Sequence, residues 1–353
     1  MSLTEHLATI LNPPRRYPSI LPAVTFNQTC EDFEVEELPA YLPDGDGEHL
    51  YLWIEKRDLP AAELLSRLAR SLQVSSRDIG VAGQKDRRAV TRQFVSVPRT
   101  AESSLSKIDD DRIRILSVSA HGNKLRTGHL NGNRFSIVLR SKSGEPFQTS
   151  QADAVAERLQ LLATQGFPNY FGPQRFGHDG RSAIDGMAFV KGQLSVKQWK
   201  FQQRHFMIKM VASAAQSAVL NLSLAARVTA ETCATPLSGD VVCRKDGVRP
   251  FLFDERGETP AEQLVPMGPM PGPKMMLATG AILTAETEVL QQLEVTAEDF
   301  LRQKKVTSGT RRSYMAYPSN TFAELISDGA IRVSFELSAG NFATVLLSEI
   351  AAD

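Results

Sequence analysis

Asp86 stands in the stretch Gly83-Gln84-Lys85-Asp86-Arg87-Arg88-Ala89-Val90-Thr91-Arg92-Gln93, a carboxylate set among Lys85, Arg87, Arg88 and Arg92. Nearby positive charge favours the ionised acid, and the same cations suit phosphate oxygens. An ionised carboxylate inside a basic rim can serve as nucleophile or as proton acceptor. The flanks indicate how it is held. Ile79-Gly80-Val81-Ala82 is short and apolar, and Phe94-Val95-Ser96-Val97 alternates like a half-buried strand. That predicts a tight connection at the edge of a sheet, with the carboxylate presented rather than packed. A solvated turn, with Gly and Asp serving turn chemistry, has the same charge pattern.

The surrounding elements must frame this acid. In Asp32-Phe33-Glu34-Val35-Glu36-Glu37-Leu38, alternation puts Phe33 and Val35 on one face and Glu34 and Glu36 on the other. After the polar turn Pro43-Asp44-Gly45-Asp46-Gly47 comes a second strand, His49 to Glu55, then a helix from Ala61 to Leu72 with Leu64, Leu65, Leu68 and Leu72 at helical spacing. Strand, helix, Asp86 turn and strand read as a βαβ-like unit. Arg112 to Ser119 and Lys124 to Arg140 continue as strands, and Ala152 to Gln165 as a helix ended by Gly166.

From Pro168 the character changes. Asn169-Tyr170-Phe171-Gly172-Pro173-Gln174-Arg175-Phe176-Gly177 is aromatic, glycine-rich and aperiodic. Val196 to Arg227 predicts a long helical region in which Lys197, Lys200, Arg204 and Lys209 interleave with Trp199, Phe201 and Phe206. Val241 to Phe253 reads as a hairpin turned at Asp246-Gly247, and the proline-rich Pro266 to Pro273 as irregular. The middle block therefore reads as an insertion with its own small core. A closing strand, Ala330 to Leu337, and a helix, Phe342 to Ile350, are placed to rejoin the first half.

At 353 residues, 42% hydrophobic and 23% charged, the chain has ordinary globular composition and room for two domains. Its net charge of zero argues against indiscriminate polyanion binding, so a nucleic-acid surface must come from local clusters. Cys30, Cys233 and Cys243 have no ligand or disulfide spacing, and His49, His121, His129, His178 and His205 show none either. The expectation is a reducing, cytosolic setting without targeting segment or membrane span.

Gly83-x-Lys85-Asp86-Arg87-x-Ala89-x-Thr91-x-Gln93 resembles the catalytic segment of the tRNA pseudouridine synthase D (TruD) family. Four more segments resemble that family in order: Asp32-Phe33-x-Val35, Gly132-Asn133-Arg134-Phe135, Asn169 to Gly177, and Leu337-Ser338-Ala339-Gly340-Asn341-Phe342-Ala343-Thr344. Arg204 to Arg227, with Gln216-Ser217 and Asn221, is similar to its insertion-domain helix. Departures are Gln84 for a hydrophobe, Arg87 for Lys, Met267 and Met270 for Thr and Leu, and a loose match from Arg311 to Pro318.

The resemblance implies an α+β fold: a split pseudouridine-synthase-like catalytic domain, 1–164 and 313–353, with a mixed or antiparallel sheet and a smaller inserted α/β domain, 165–312. It implies isomerisation of uridine-13 of tRNA, with Asp86 as catalytic acid and no metal or organic cofactor. Phe33, Lys85, Asn133, Phe135 and Phe342 are the implied substrate-binding residues. A flipped base needs such aromatic walls and a polar group for its Watson–Crick edge. Arg87, Arg88, Arg92, Arg134 and Arg175 are expected to meet RNA phosphates in a cleft between the domains. No obligate protein partner is implied. Non-catalytic binding of structured RNA, as by a tRNA chaperone, is the alternative; a hydrolase or lyase would need a second acid/base group.

Overall fold

The alternation at the start of the chain becomes a strand over Phe33–Pro39, buried at Phe33, Val35 and Glu37 and half-exposed between them. The computed structural model describes residues 3–108, 110–327 and 329–352, with Leu3 and Thr4 described by backbone only. In chain order α1 (Leu3–Leu11) and β1 (Val24–Thr25) precede β2 (Phe33–Pro39), β3 (His49–Arg57) and α2 (Ala61–Leu72). Then come β4 (Gly80–Val81), β5 (Val90–Pro98), β6 (Ile113–His121), β7 (Leu130–Ser141), α3 (Thr149–Gln165) and β8 (Phe167–Pro168). The middle carries α4 (Arg181–Val190), α5 (Phe201–Thr229), β9 (Val241–Arg244), β10 (Phe251–Leu252) and β11 (Leu264–Met270). It continues with α6 (Gly280–Gln292), α7 (Ala297–Arg302), β12 (Thr310–Ser313) and β13 (Met315–Ala316). The chain closes with β14 (Ser319–Leu325), β15 (Ile331–Ser338) and α8 (Ala343–Ser348).

Two compact units result. One comprises Ser19–Thr164, Pro318–Ala343 and Ile350–Asp353; the other comprises Met1–Pro18, Gln165–Tyr317 and Thr344–Glu349. The first is an α+β unit on a nine-stranded sheet ordered β14-β15-β7-β2-β5-β3-β6, with β1 added to β7 and β4 to β5. Its pairings are antiparallel apart from β2 with β5, so the sheet is mixed. As expected, the last strand rejoins the sheet, pairing with β7 over eight residues. Most of α8 instead falls in the other unit.

Helix α2 shows how the sheet is covered. Extended Pro60 opens it, and Gln73, in the left-handed region at φ 56°, closes it by donating its amide to Arg70 and Ala69. Leu64, Leu68 and Leu72 are buried against Leu50, Leu52, Ile54, Val95 and Val97 of β3 and β5. Each such leucine contributes about 2 kcal/mol by leaving water. Helix α3 buries Val155, Leu159 and Leu162. It stops at Gly166, whose φ of +74° suits glycine.

In the second unit α5 is the core helix, buried almost continuously from Val211 to Ala225. It is the one helix among the described residues long and apolar enough to cross a membrane, but 72% of that apolar window is buried inside the protein. Beside it lies a four-stranded sheet, β10-β9-β11-β12.

Five sequence expectations need correction. The strands flanking α2 and the Asp86 turn do not form a βαβ unit, because β3 and β5 are antiparallel neighbours; short β4 intervenes before the turn. Nor is the turn at a sheet edge, since β5 lies between β2 and β3. Pro266 to Met270 is regular: β11 pairs with β9 through Pro266 and with β12 from Met267 onward. Proline forfeits only an amide donor, and the Pro266 carbonyl still accepts from Tyr314 at 2.9 Å. Finally, α5 begins at Phe201, leaving Trp199 outside it, and the strand expected from Lys124 begins at Leu130.

Candidate active site

The connection between β4 and β5 runs in irregular backbone from Ala82 to Ala89, and Asp86 is exposed on it. Two buried lysines flank this segment, Lys85 next to Asp86 in the chain and Lys56 from β3. Lys85 reaches inward, its Nζ 2.9 Å from Glu37 Oε2 on β2 and 2.7 Å from Asn133 Oδ1 on β7. Lys56, at the end of β3, donates to the backbone oxygen of Asp86 at 2.7 Å and of Leu59 at 2.8 Å. Lys56 thus holds Asp86 through its main chain without its carboxylate being consumed.

Register explains why these groups meet. Glu37 faces Asn133 across the β2–β7 ladder, and Leu337 of β15 faces Asn133 on the other side. Two residues along, Val35, Phe135 and Phe335 form the next row, followed by Phe33, Ile137 and Val333. Alternation sends all of these to one face. Phe33 and Phe135 are packed edge to face with centroids 6.2 Å apart, and Phe335 lies 5.5 Å from Phe135. Close approach of β15 to β7 requires Gly132, because a Cβ there would lie 2.1 Å from the Leu337 carbonyl oxygen.

The opposite face carries the charges that alternation assigned to it. Arg134 bonds Glu36 at 3.0 Å and Glu336 at 2.8 Å. Arg92 bonds Glu55 at 3.0 Å and Glu34 at 3.3 Å. Both guanidiniums are therefore largely neutralised. Arg87 is exposed, 3.7 Å from Asp58, and exposed Arg88 has no ion-pair or hydrogen-bond partner among the described residues.

Of the expected site residues, the structure therefore brings together Lys85 and Asn133, has Asp86 adjoin Lys85 in the chain, and packs Phe33 edge to face against Phe135. Phe342 is half-buried in the turn after β15. Arg175 belongs to the other unit, where it bonds the hydroxyls of Ser213 and Ser217 on α5 and lies 5.2 Å over Phe171. Arg312 lies 4.3 Å over the same ring, and burial lowers its pKa to about 10. Burial lowers the Arg175 pKa as well.

Sequence reasoning missed Glu37 and Lys56, although each left a signal. Glu37 continues the buried series Phe33, Val35, and Lys56 continues Leu50, Leu52, Ile54. A charge at the inward parity of a strand marks a buried ion that must be partnered. For Lys56, burial outweighs the Asp86 and Asp58 carboxylates and lowers the pKa to about 8.

The family model described as tRNA pseudouridine synthase D (TruD) matches residues 23–199 and 202–350. A tRNA pseudouridine synthase D of Anaeromyxobacter sp. (strain Fw109-5) is 39% identical over 330 residues, 92% of each chain. That of a Thermus thermophilus strain is 36% identical over 346 residues, covering 96% of this chain and 92% of its own. A crystal structure from Methanosarcina mazei, at 23% identity and a TM-score of 0.74 over 98% of this chain and 97% of its own, has the same fold. With the matches spanning both units and the Asp86 segment, the chain belongs to the tRNA pseudouridine synthase D (TruD) family.

Proposed function

We propose that this chain converts uridine to pseudouridine at position 13 of tRNA, with Asp86 as its catalytic residue and the sheet unit as its catalytic domain. The observation carrying this reading is an exposed Asp86 whose main-chain oxygen is held by buried Lys56 and whose chain neighbour, buried Lys85, bonds Asn133 on the strand that also carries Phe135 of the Phe33–Phe135 pair. The reaction breaks the bond from C1′ to N1 and forms one from C1′ to C5; C5 loses a proton and N1 gains one. No oxidant or reductant is consumed. Asp86 serves at the sugar, by attacking C1′ or by accepting the C2′ proton. Phe33, Phe135 and Phe342 supply apolar walls for the flipped base, and Asn133 addresses its polar edge. The position follows from the TruD resemblance. Arg87 and Arg88 are the better phosphate contacts, because Arg92 and Arg134 are already held by carboxylates.

The test is isomerisation of unmodified tRNA by wild type and Asp86→Asn, mapped chemically for pseudouridine. Wild type should modify position 13, and Asp86→Asn should bind tRNA without modifying it. If neither protein modifies tRNA while both bind it, the chain is a structured-RNA-binding protein instead.

A further inference from the structure

We propose that the buried Glu37–Lys85 pair fixes the side-chain amide of Asn133 so that only its NH2 group faces the target base, making Asn133 a donor that selects uracil against cytosine. The inference rests on the proposed function, which puts Asn133 at the base. It adds the polarity of that contact and the residues that set it.

An asparagine amide has two ends, and its value as a reader depends on which end is outward. An ammonium only donates. With Lys85 Nζ 2.7 Å from Asn133 Oδ1, the oxygen is the inward end. Nδ2 is then turned away from Lys85, and it has no hydrogen-bond partner among the described residues. Asn133 is half-buried, so the group is reachable, whereas Lys85 and Glu37 are closed off at 3% and 1% side-chain exposure. Glu37 in turn holds the ammonium at 2.9 Å and accepts the Phe94 amide at 3.3 Å. The chain of contacts runs from the β5 backbone through carboxylate and ammonium to the amide, and each link has one allowed polarity. Lys85 and Glu37 are therefore positioning residues that act through Asn133.

The consequence is chemical. Uracil presents O4 as an acceptor where cytosine presents the N4 amino group as a donor. An outward NH2 bonds the first and faces the second donor to donor. Were the amide free to rotate by 180°, its oxygen would accept from cytosine and the discrimination would vanish.

The test uses the full chain at pH 8 and two stem-loop RNAs spanning the target position, one with uridine and one with cytidine there. Wild type should bind the uridine RNA about tenfold more tightly, as one well-formed polar contact to a base edge allows. Asn133→Asp replaces the outward donor by an acceptor while Lys85 holds the other oxygen, and should reverse the preference. Glu37→Gln combined with Lys85→Met removes both buried charges and should bring the ratio to about one. In an Asn133→Ala background the same pair of changes should leave the ratio where Asn133→Ala puts it. Thermal melting checks each protein, and the Glu37→Gln/Lys85→Met variant carries the test if Asn133→Asp does not fold. A wild type that isomerises uridine yet binds both RNAs equally overturns the inference alone. So does an Asn133→Asp protein that keeps the uridine preference, or a paired change that acts fully in the Asn133→Ala background. A wild type that isomerises nothing overturns the enzyme reading and the inference with it.

Discussion

The Nζ of Lys56 lies 2.7 Å from the backbone oxygen of Asp86, so the residue proposed to do the chemistry is held through its main chain and not through its carboxylate. The same ammonium bonds Leu59 O, which ties the Asp86 connection to the start of the α2 segment. Such an anchor fixes where the carboxylate stands while leaving it free to react.

Replacing Lys56 by Met removes the donor for two carbonyls in a fully buried site. The Asp86 backbone is expected to shift, and a misplacement of about 1 Å costs on the order of 100-fold in rate. Single-turnover kinetics should show kcat falling by about 10- to 100-fold with little change in tRNA affinity. An equal fall in affinity would assign Lys56 to RNA binding instead.

Lys56 also sets a pH dependence. Its folded pKa of about 8 lies below the ordinary 10.5, so between these values the unfolded chain binds the proton that the folded chain has released. Stability contributed at this site therefore rises with pH through that window, by on the order of 1 kcal/mol per pH unit. Denaturant unfolding of wild type minus Lys56→Met, measured from pH 7 to pH 10, should show a flat difference below about pH 8 and a rise above it. A difference independent of pH would mean that Lys56 titrates normally.

The Glu37–Lys85 pair should show strong coupling. Glu37→Gln alone leaves a buried ammonium without its counter-ion and is expected to cost about 3–5 kcal/mol of stability. Adding Lys85→Met should restore part of that loss, because two neutral side chains no longer need charge compensation. A double-mutant cycle by chemical denaturation reads this directly; additive losses would show that the two groups do not interact.

The basic residues should separate by salt dependence. Arg88 is exposed and without a partner among the described residues, whereas Arg134 is held by Glu36 and Glu336. Arg88→Ala should weaken tRNA binding and reduce the slope of log affinity against log salt by about 0.7–0.9. Arg134→Ala should leave the slope nearly unchanged and lower stability slightly. The reverse pattern, measured over a salt titration, would place the RNA backbone on the charged face of the sheet.

In the second unit Asn221 makes three hydrogen bonds. Its amide accepts from the Phe171 amide at 2.9 Å and donates to the Phe171 and Ile10 carbonyls at 2.8 and 3.1 Å. Asn221→Leu keeps the volume but strands three buried backbone groups, for an expected loss of about 3 kcal/mol or more. Thermal unfolding should show it, and loss below about 1 kcal/mol would mean that water replaces the amide.

How much of this was legible beforehand follows from the range of each interaction. Local pattern determined the alternation of β2, the limits of α2, the Gly166 stop and the exposure of Asp86, because each depends on residues a few positions apart. The resemblance in the Asp86, Asn133 and Asn169–Gly177 segments determined the family before any contact was known. Local pattern could not determine that β3 and β5 are antiparallel or that Pro266 and Pro269 lie in a strand, since partners far along the chain decide both. Nor could charge pattern tell the four cations around Asp86 apart. Sequence placed Lys85, Arg87, Arg88 and Arg92 together as one basic rim; the tertiary structure sent Lys85 inward to Glu37 and Asn133, Arg92 to its carboxylates, and left Arg87 and Arg88 outside. A cation's role is set by the distance to its nearest opposite charge, and that distance exists only once β2, β5 and β7 are side by side.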